Sequence, residues 1–449
     1  MSRLFADHAL LPEGFATRVL LSWDDSGRLT GVQTGIECPA DAPRAAGLVV
    51  PGLPNLHSHA FQRAFAGLTE YRASAQDSFW SWRELMYRFA GAVSPDELEA
   101  IATQLYVEML RAGYTSVCEF HYVHHDPAGR PYANPAEMSL RLVAAARRAG
   151  IGLTMLPVLY QASGFGAKPP RDDQKRFLDD VGGLLRIVEV LREQGVRTGV
   201  APHSLRAVPP AALAELMAGL GSIDAKAPVH IHIAEQMQEV RDSLAFSGAR
   251  PLQWLLDHAP VDERWCLVHA THLDDAERDG AARRGAVIGL CPTTEANLGD
   301  GLFDLPAWSD SRKGVWGIGS DSHASVDAAE ELRLLEYGQR LARQQRNVWV
   351  AEDLWRAAVA GGAQAAGRPV AGLAAGQQAD FLVLADAMLE GLAAAQQLAS
   401  HLFASHRREA VREVWVAGQR VVDQGRHVAQ EAAQRGFLAA RARLLEALR

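Results

Sequence analysis

Short apolar runs and longer amphipathic stretches alternate through most of this chain. Eight apolar runs begin near Leu48, Ser116, Gly152, Thr198, Val229, Cys266, Ala286 and Val315. Between them, apolar residues recur at helical spacing from Pro95 to Ala112, Pro135 to Ala149, Asp172 to Gln194, Pro209 to Gly219, Val240 to Leu256 and Asp274 to Arg284. Strands alternating with helices of this length are the pattern of βα units on a parallel sheet, and eight units are what a closed barrel needs. The two ends read differently. Strand-like pieces at Ala16 to Trp23 and Leu29 to Thr34 flank the turn Asp24-Asp25-Ser26-Gly27, and Ala379 to Leu384 and Glu413 to Val422, with Gly418 at a turn, resemble them near the other end. The pattern predicts an α/β fold: a (β/α)8 TIM-type barrel over 50–370 and a small β-sandwich assembled from 1–49 and 371–449. A helix rich in Ala, Leu and Arg runs from about Glu431 to Leu448.

A length of 449 residues fits two domains, since a barrel absorbs about 250 residues or more as one. The composition is that of a soluble globular protein, 48% hydrophobic and 22% charged. A net charge of −8 argues against a nucleic-acid surface, which needs a concentrated basic footprint. No basic segment followed by an apolar stretch opens the chain, and no window approaches the roughly 18 apolar residues of a membrane helix. A cytoplasmic location is therefore expected. Cys38, Cys118, Cys266 and Cys291 form no CxxC pair and read as structural thiols rather than disulfides.

Polar residues at the strand ends change the picture, because reactive groups in such barrels sit at the C-terminal ends of the strands. Strand one ends in His57-Ser58-His59, and residues two apart in an extended chain face the same side. A lone HxH is weak; most are surface or core histidines. Strand five runs Val229-His230-Ile231-His232-Ile233-Ala234-Glu235, so a ligand at His232 would set a carboxylate beside a metal-bound water, with His230 one layer below. Strand six ends at His269, and strand eight is followed by Asp321, which alone would read as a helix cap. Four strand ends converging on His and Asp or Glu point instead to a metal centre.

In that order, His57-x-His59, His232-x-x-Glu235, His269 and Asp321 resemble the amidohydrolase superfamily in its branch of mononuclear deaminases. Gly376-x-x-Ala379-Asp380-Phe381 resembles the strand by which such chains re-enter the flanking sandwich. Binuclear members place a lysine at the end of strand four. The four lysines here (Lys168, Lys175, Lys226, Lys313) all lie elsewhere, and His203 stands there instead, which favours one metal ion. Longer stretches are similar to the formimidoylglutamate deiminases of histidine degradation: Leu56 to Ala64, Phe79-Trp80-Ser81-Trp82-Arg83, and Cys291 to Gly301.

The resemblance implies one Zn²⁺ on His57, His59, His232 and Asp321, although iron or manganese also suits these ligands. It implies Glu235 as proton carrier, His269 orienting the nucleophile or stabilising charge, and Asp321 accepting a proton while ligating. The products would be N-formyl-L-glutamate and ammonia. A glutamate-derived substrate carries two carboxylates, for which Arg206 and Arg83 are the expected partners, with Gln62, Tyr122 and His203 adding hydrogen bonds. Arg63 and Arg88 read as surface residues, and Trp80 and Trp82 as pocket wall or core. His121, His124 and His125 read as solvated-loop or supporting residues rather than a second metal cluster, and His272 and His323 as groups orienting the ligands. The expected partner is a small acidic substrate, with no nucleic acid and no membrane, and a homodimer is usual for similar enzymes. Three rivals stay open: an aminohydrolase of a heterocyclic base or another amidine, hydrolysis at the other C–N bond to give formamide, and an inactive barrel kept as a binding module.

Overall fold

The computed structural model describes residues 2–70, 79–405 and 408–448. The apolar runs become parallel strands in two sets. The first contains Leu53–Ser58, Tyr114–His121, Gly152–Leu159 and the short Arg197–Thr198, with Ala201–Pro202 also pairing to Gly152–Leu159. The second contains Val229–Ile233, Trp265–His269, Val287–Leu290 and Val315–Ile318. Parallel bridges join the sets at both seams, Val200 to Val229 and Ser204 to His232 at one, Ser58 to Asp321 at the other. The amides of His230, His232 and Asp321 donate across these seams to the carbonyls of Val200, His203 and His57. Leu56 points between the sets: a Cβ on Gly289 or Gly317 would come within 2.8 or 2.7 Å of its methyls. Those glycines leave the room that Leu56 fills, with Cys266, Val268 and Val287 around it.

The run beginning near Leu48 departs from expectation, because it serves two sheets. Leu48–Pro51 pairs antiparallel with Phe381–Leu384, and Val49 bridges Ala9, whereas Leu53–Ser58 enters the parallel set. The chain passes between them at Gly52, where a Cβ would collide with the Thr115 side chain at 2.1 Å.

The terminal strands share one eight-stranded sheet that runs from Arg426–His427 through Phe381–Leu384 and Leu48–Pro51 to Leu29–Gln33. Trp23, Phe381 and Trp415 cluster there with ring centroids 5.4 to 5.9 Å apart, which ties the N-terminal strands to the C-terminal ones. Ala417 and Gly418 turn the hairpin with φ of 46° and 72°, the double left-handed geometry of a tight two-residue turn.

Four of the six expected helical stretches appear close to their expected bounds, as Pro95–Arg111, Glu137–Ala149, Pro210–Ile223 and Asp275–Arg283, and two do not. Asp172 to Gln194 holds only a short turn at Asp172–Gln174 and a helix Val181–Glu193, whose cap Asp180 accepts from Gly183 N. Val240 to Leu256 contains parts of two helices, Met237–Ser247 and Pro251–His258, because Gly248 (φ 75°) ends the first and Pro251 starts the second. Pro95–Arg111 is held by a capping box between Ser94 and Glu97. All four cysteines are free, with only Cys38 exposed. Among the described residues no helix is long and apolar enough to cross a membrane.

Candidate active site

The first two histidines sit at the end of Leu53–Ser58, with Glu119 on the neighbouring strand beneath them. Its carboxylate accepts from Ser58 Oγ at 2.6 Å, Ala60 N at 2.6 Å and Tyr106 Oη at 3.1 Å, which fixes the backbone that presents His57 and His59. Burial pushes this carboxyl up to about 7, against the pull of those three donors. A carboxylate inside the apolar run Val117-Cys118-Glu119-Phe120 was the available signal, and the sequence reading passed over it. His323 supports the same loop, accepting His59 N at 3.2 Å on Nε2 and meeting Ser320 Oγ at 3.0 Å through Nδ1.

The imidazoles of His57, His59 and His232 and the carboxylate of Asp321 converge, each offering an atom within 4.8 Å of the others. His57 Nε2 and His232 Nε2 are 3.0 Å apart, and Asp321 Oδ1 lies 3.4 Å from His57 Nε2 and 3.3 Å from His59 Nε2. His59 Nδ1 donates to the Phe120 carbonyl at 2.8 Å and His232 Nδ1 to the His203 carbonyl at 3.0 Å, which leaves both Nε2 atoms as acceptors facing inward. Burial lowers all three histidine pKa values, so the rings are neutral, as metal ligation requires. Three neutral imidazoles and one carboxylate, buried together with lone pairs converging, fit a metal ion.

Strain gathers at the same place. Ala234, His269, Ala270, Asp321 and His323 have φ between 46° and 66°, a region that side-chain-bearing residues seldom adopt. Each stands at or just after a strand end, where the left-handed step turns the side chains toward the site. His269 lies with Nε2 3.9 Å from Glu235 Oε1 and 3.8 Å from Asp321 Oδ2, while its Nδ1 donates to Glu295 at 3.3 Å. Burial opposes its charging, but the carboxylates of Glu235, Glu295 and Asp321 prevail and push it up to about 10. Glu295 also accepts Cys291 N at 2.8 Å. It stood within a recognised stretch but was given no role.

These groups face one cavity. Every expected substrate contact lines it: Gln62, Arg83, Tyr122, His203 and Arg206, together with Glu235 and His269. Arg206 Nη2 is 3.9 Å from Glu235 Oε2, and its buried Nε has no partner among the described residues. Gln62 donates to Tyr122 Oη at 3.0 Å, and its Oε1 is likewise buried and unpartnered. Trp82 lines the cavity, whereas the side chain of Trp80 lies outside the described residues. Tyr87 and Tyr160 line it too and were not foreseen. Tyr87 follows Arg83 by four residues on one helix, and Tyr160 directly follows a strand end, so spacing could have found both.

For the remaining histidines and arginines the outcome is mixed. His121, His124 and His125 are buried rather than solvated, with His124 Nε2 2.9 Å from the Val158 carbonyl and His125 Nε2 2.7 Å from that of Leu178. Arg63 is a half-buried brace, not a free surface residue, paired with Glu108 at 2.7 Å and donating to the His323 carbonyl at 3.0 Å. Arg88 is exposed and reaches the Leu448 carbonyl. His230 bonds the Ala365 carbonyl at 2.9 Å, below the ligands, and His272 the Asp300 carbonyl at 2.8 Å. A second convergence, His269 with Cys291 and Asp321, shares Asp321, and burial pushes the Cys291 thiol well up.

The sequence model of the Amidohydrolase family matches residues 48–421. Formimidoylglutamate deiminase of Pseudomonas aeruginosa is 51% identical over 459 residues, which cover 99% of this chain and 100% of that protein. The 5-methylthioadenosine/S-adenosylhomocysteine deaminase of Natronomonas pharaonis is 29% identical over 84% of this chain and 81% of its own length. Among solved structures, an amidohydrolase from Brucella melitensis superposes with a TM-score of 0.94 at 46% identity, covering 99% of this chain and 100% of the other. An adenosine deaminase from Xanthomonas campestris shares the fold at a TM-score of 0.81 and 23% identity, over 99% and 98% of the two chains.

Proposed function

The chain belongs to the amidohydrolase family and, within it, to the formimidoylglutamate deiminases, and from that membership we propose that it hydrolyses N-formimidoyl-L-glutamate to N-formyl-L-glutamate and ammonia, a step of histidine degradation. The observation that carries the substrate is the pair Arg83 and Arg206, both lining the cavity that contains the four-ligand cluster. A neutral heterocyclic base could accept hydrogen bonds but would leave two guanidinium charges uncompensated, whereas a dicarboxylate matches both in charge.

In this reading the two parallel sets are one (β/α)8 barrel over about 50–370, beside a domain built from both termini, and the enzyme is a cytoplasmic homodimer. His57, His59, His232 and Asp321 hold one zinc ion, with iron or manganese suited to the same donors. When bound, the ion supplies a water acidified towards about pKa 7, a nucleophile at neutral pH. The Glu235 carboxylate is the group that would carry protons from the attacking water to the departing =NH nitrogen, which needs both of them to leave as ammonia rather than as a poor amide anion. His269, tethered through Nδ1 to Glu295, directs Nε2 between Glu235 and Asp321 and offsets their negative charge during the transfer. Asp321 is a second proton acceptor while it ligates. The unpartnered Gln62 Oε1 accepts from a substrate N–H, and Arg83, Arg206, Tyr122 and His203 seat the two carboxylates.

The test is ammonia release from N-formimidoyl-L-glutamate, with and without chelator, and identification of the co-product. Ammonia with N-formylglutamate, lost on chelation and restored by zinc, is expected. Formamide with glutamate would move the cleaved bond. Release from guanine or cytosine but not from the formimidoyl acid would place the chain among base deaminases.

A further inference from the structure

Beside Arg83 lies a hydrogen-bond arrangement in which, among the described residues, the two phenols have more protons to give than acceptors to take them. The Arg83 guanidinium stacks over the Tyr87 ring at 5.0 Å, its Nε donates to Tyr87 Oη at 2.6 Å, and its Nη2 reaches Tyr160 Oη at 3.4 Å. Gln174, fully buried in the turn Asp172–Gln174, donates from Nε2 to both phenols, at 2.8 Å to Tyr160 and 3.1 Å to Tyr87. The orientation of this amide is fixed, because Gln174 Oε1 already accepts Arg171 N at 2.9 Å. The acceptor sites of both phenol oxygens are therefore occupied by N–H donors.

Each phenol still has one proton of its own to give. Tyr160 and Tyr87 also interact through a hydrogen bond, which can use at most one of these protons. Among the described residues neither hydroxyl has another acceptor, and at least one O–H is left over. Both tyrosines line the cavity. Arg83 adds a positive charge beside that spare donor, and a group that accepts on every face and carries negative charge is a carboxylate.

We propose that Tyr87 and Tyr160 are specificity-determining residues that complete, with Arg83, a donor-only subsite for one carboxylate of the substrate, and that Gln174 is the positioning residue that turns their hydroxyls toward it. The proposal rests on the formimidoylglutamate reading and adds to it a reason for preferring an acid over an amide. A terminal amide would set its own N–H groups against N–H and O–H donors, whereas a carboxylate accepts from all of them.

Two mono-acid substrates separate the possibilities: N-formimidoyl-L-alanine, which lacks the side-chain carboxylate, and N-formimidoyl-4-aminobutyrate, which lacks the α-carboxylate. Tyr87→Phe and Tyr160→Phe keep the rings and remove only the hydroxyls; melting temperature and metal content are measured alongside. With N-formimidoyl-L-glutamate, the double variant should raise KM about tenfold or more while kcat falls by less than about threefold, the effect of a lost hydrogen bond to a charged group. One mono-acid, the one still filling this subsite, should suffer the same loss in kcat/KM, and the other a loss below about threefold. Gln174→Met should move KM in the same direction, because the phenols lose their orientation. Equal losses with both mono-acids, or a fall in kcat at unchanged KM, would overturn the subsite. If the unaltered enzyme releases no ammonia from N-formimidoyl-L-glutamate, the parent reading falls first, and the two failures remain distinct.

Discussion

On the floor of the cavity, His59 and His232 each anchor Nδ1 on a backbone carbonyl, and His269 anchors its own on Glu295. On the wall, Arg83 leans on two phenols. The floor comes from strand ends and is held by main-chain hydrogen bonds. The wall comes from a helix, a turn and the loop after Pro202, and two of its buried polar atoms, Arg206 Nε and Gln62 Oε1, have no partner among the described residues. Chemistry that must be held to fractions of an ångström is assigned to the rigid part, and recognition, which completes its bonds only with substrate, to the other.

Substitutions on the floor should therefore act on kcat and metal, and those on the wall on KM. Removal of the ion by chelator, or His232→Ala, should reduce activity to background, with metal content measured by mass spectrometry falling in parallel. Next, Glu235→Gln should keep its metal and lose about 10²- to 10⁴-fold in kcat; near-normal turnover would remove it from proton transfer. Arg206→Met should cost about 10- to 100-fold in kcat/KM, chiefly through KM, because a charge-assisted bond is lost. An unchanged kcat/KM would take Arg206 out of the wall.

Glu295→Gln tests whether the floor extends beneath the groups that touch substrate. The variant keeps a carbonyl oxygen for His269 Nδ1–H but removes the charge, so kcat should drop by about tenfold with KM little changed. A change confined to KM would blur the division between floor and wall. The smallest effect should come from Ser94→Ala, which breaks the capping box far from the cavity. About 1 kcal/mol of stability should disappear in a denaturant titration, with kcat and KM unaltered.

The same division explains what could be seen in the sequence. His57, His59, His232, Glu235, His269 and Asp321 were visible because a strand has period two and its end is where function lies. The wall gave no such rule. Arg83 and Arg206 entered through the chemistry of a dicarboxylate and a resemblance; Tyr87 and Tyr160 were missed although helix spacing and a strand end point to them, and Gln174 because nothing in the sequence shows which turn folds over which strand. Glu119 and Glu295 were missed for another reason: each braces a neighbour rather than the substrate. In the fold, Gly52 was the hidden feature. A continuous apolar run does not reveal that its first half belongs to another sheet, because both halves are fully buried.

That glycine has a consequence for the order of assembly. Leu48–Pro51 finds its antiparallel partner only in Phe381–Leu384, so the strand leading directly into His57 and His59 lacks one neighbour until nearly the whole chain has been synthesised. A nascent chain released before residue 381 would carry all four ligands yet have an unsupported lead-in to two of them. Closing so long a loop is slow, so the lead-in strand gains this neighbour late in the assembly of the fold.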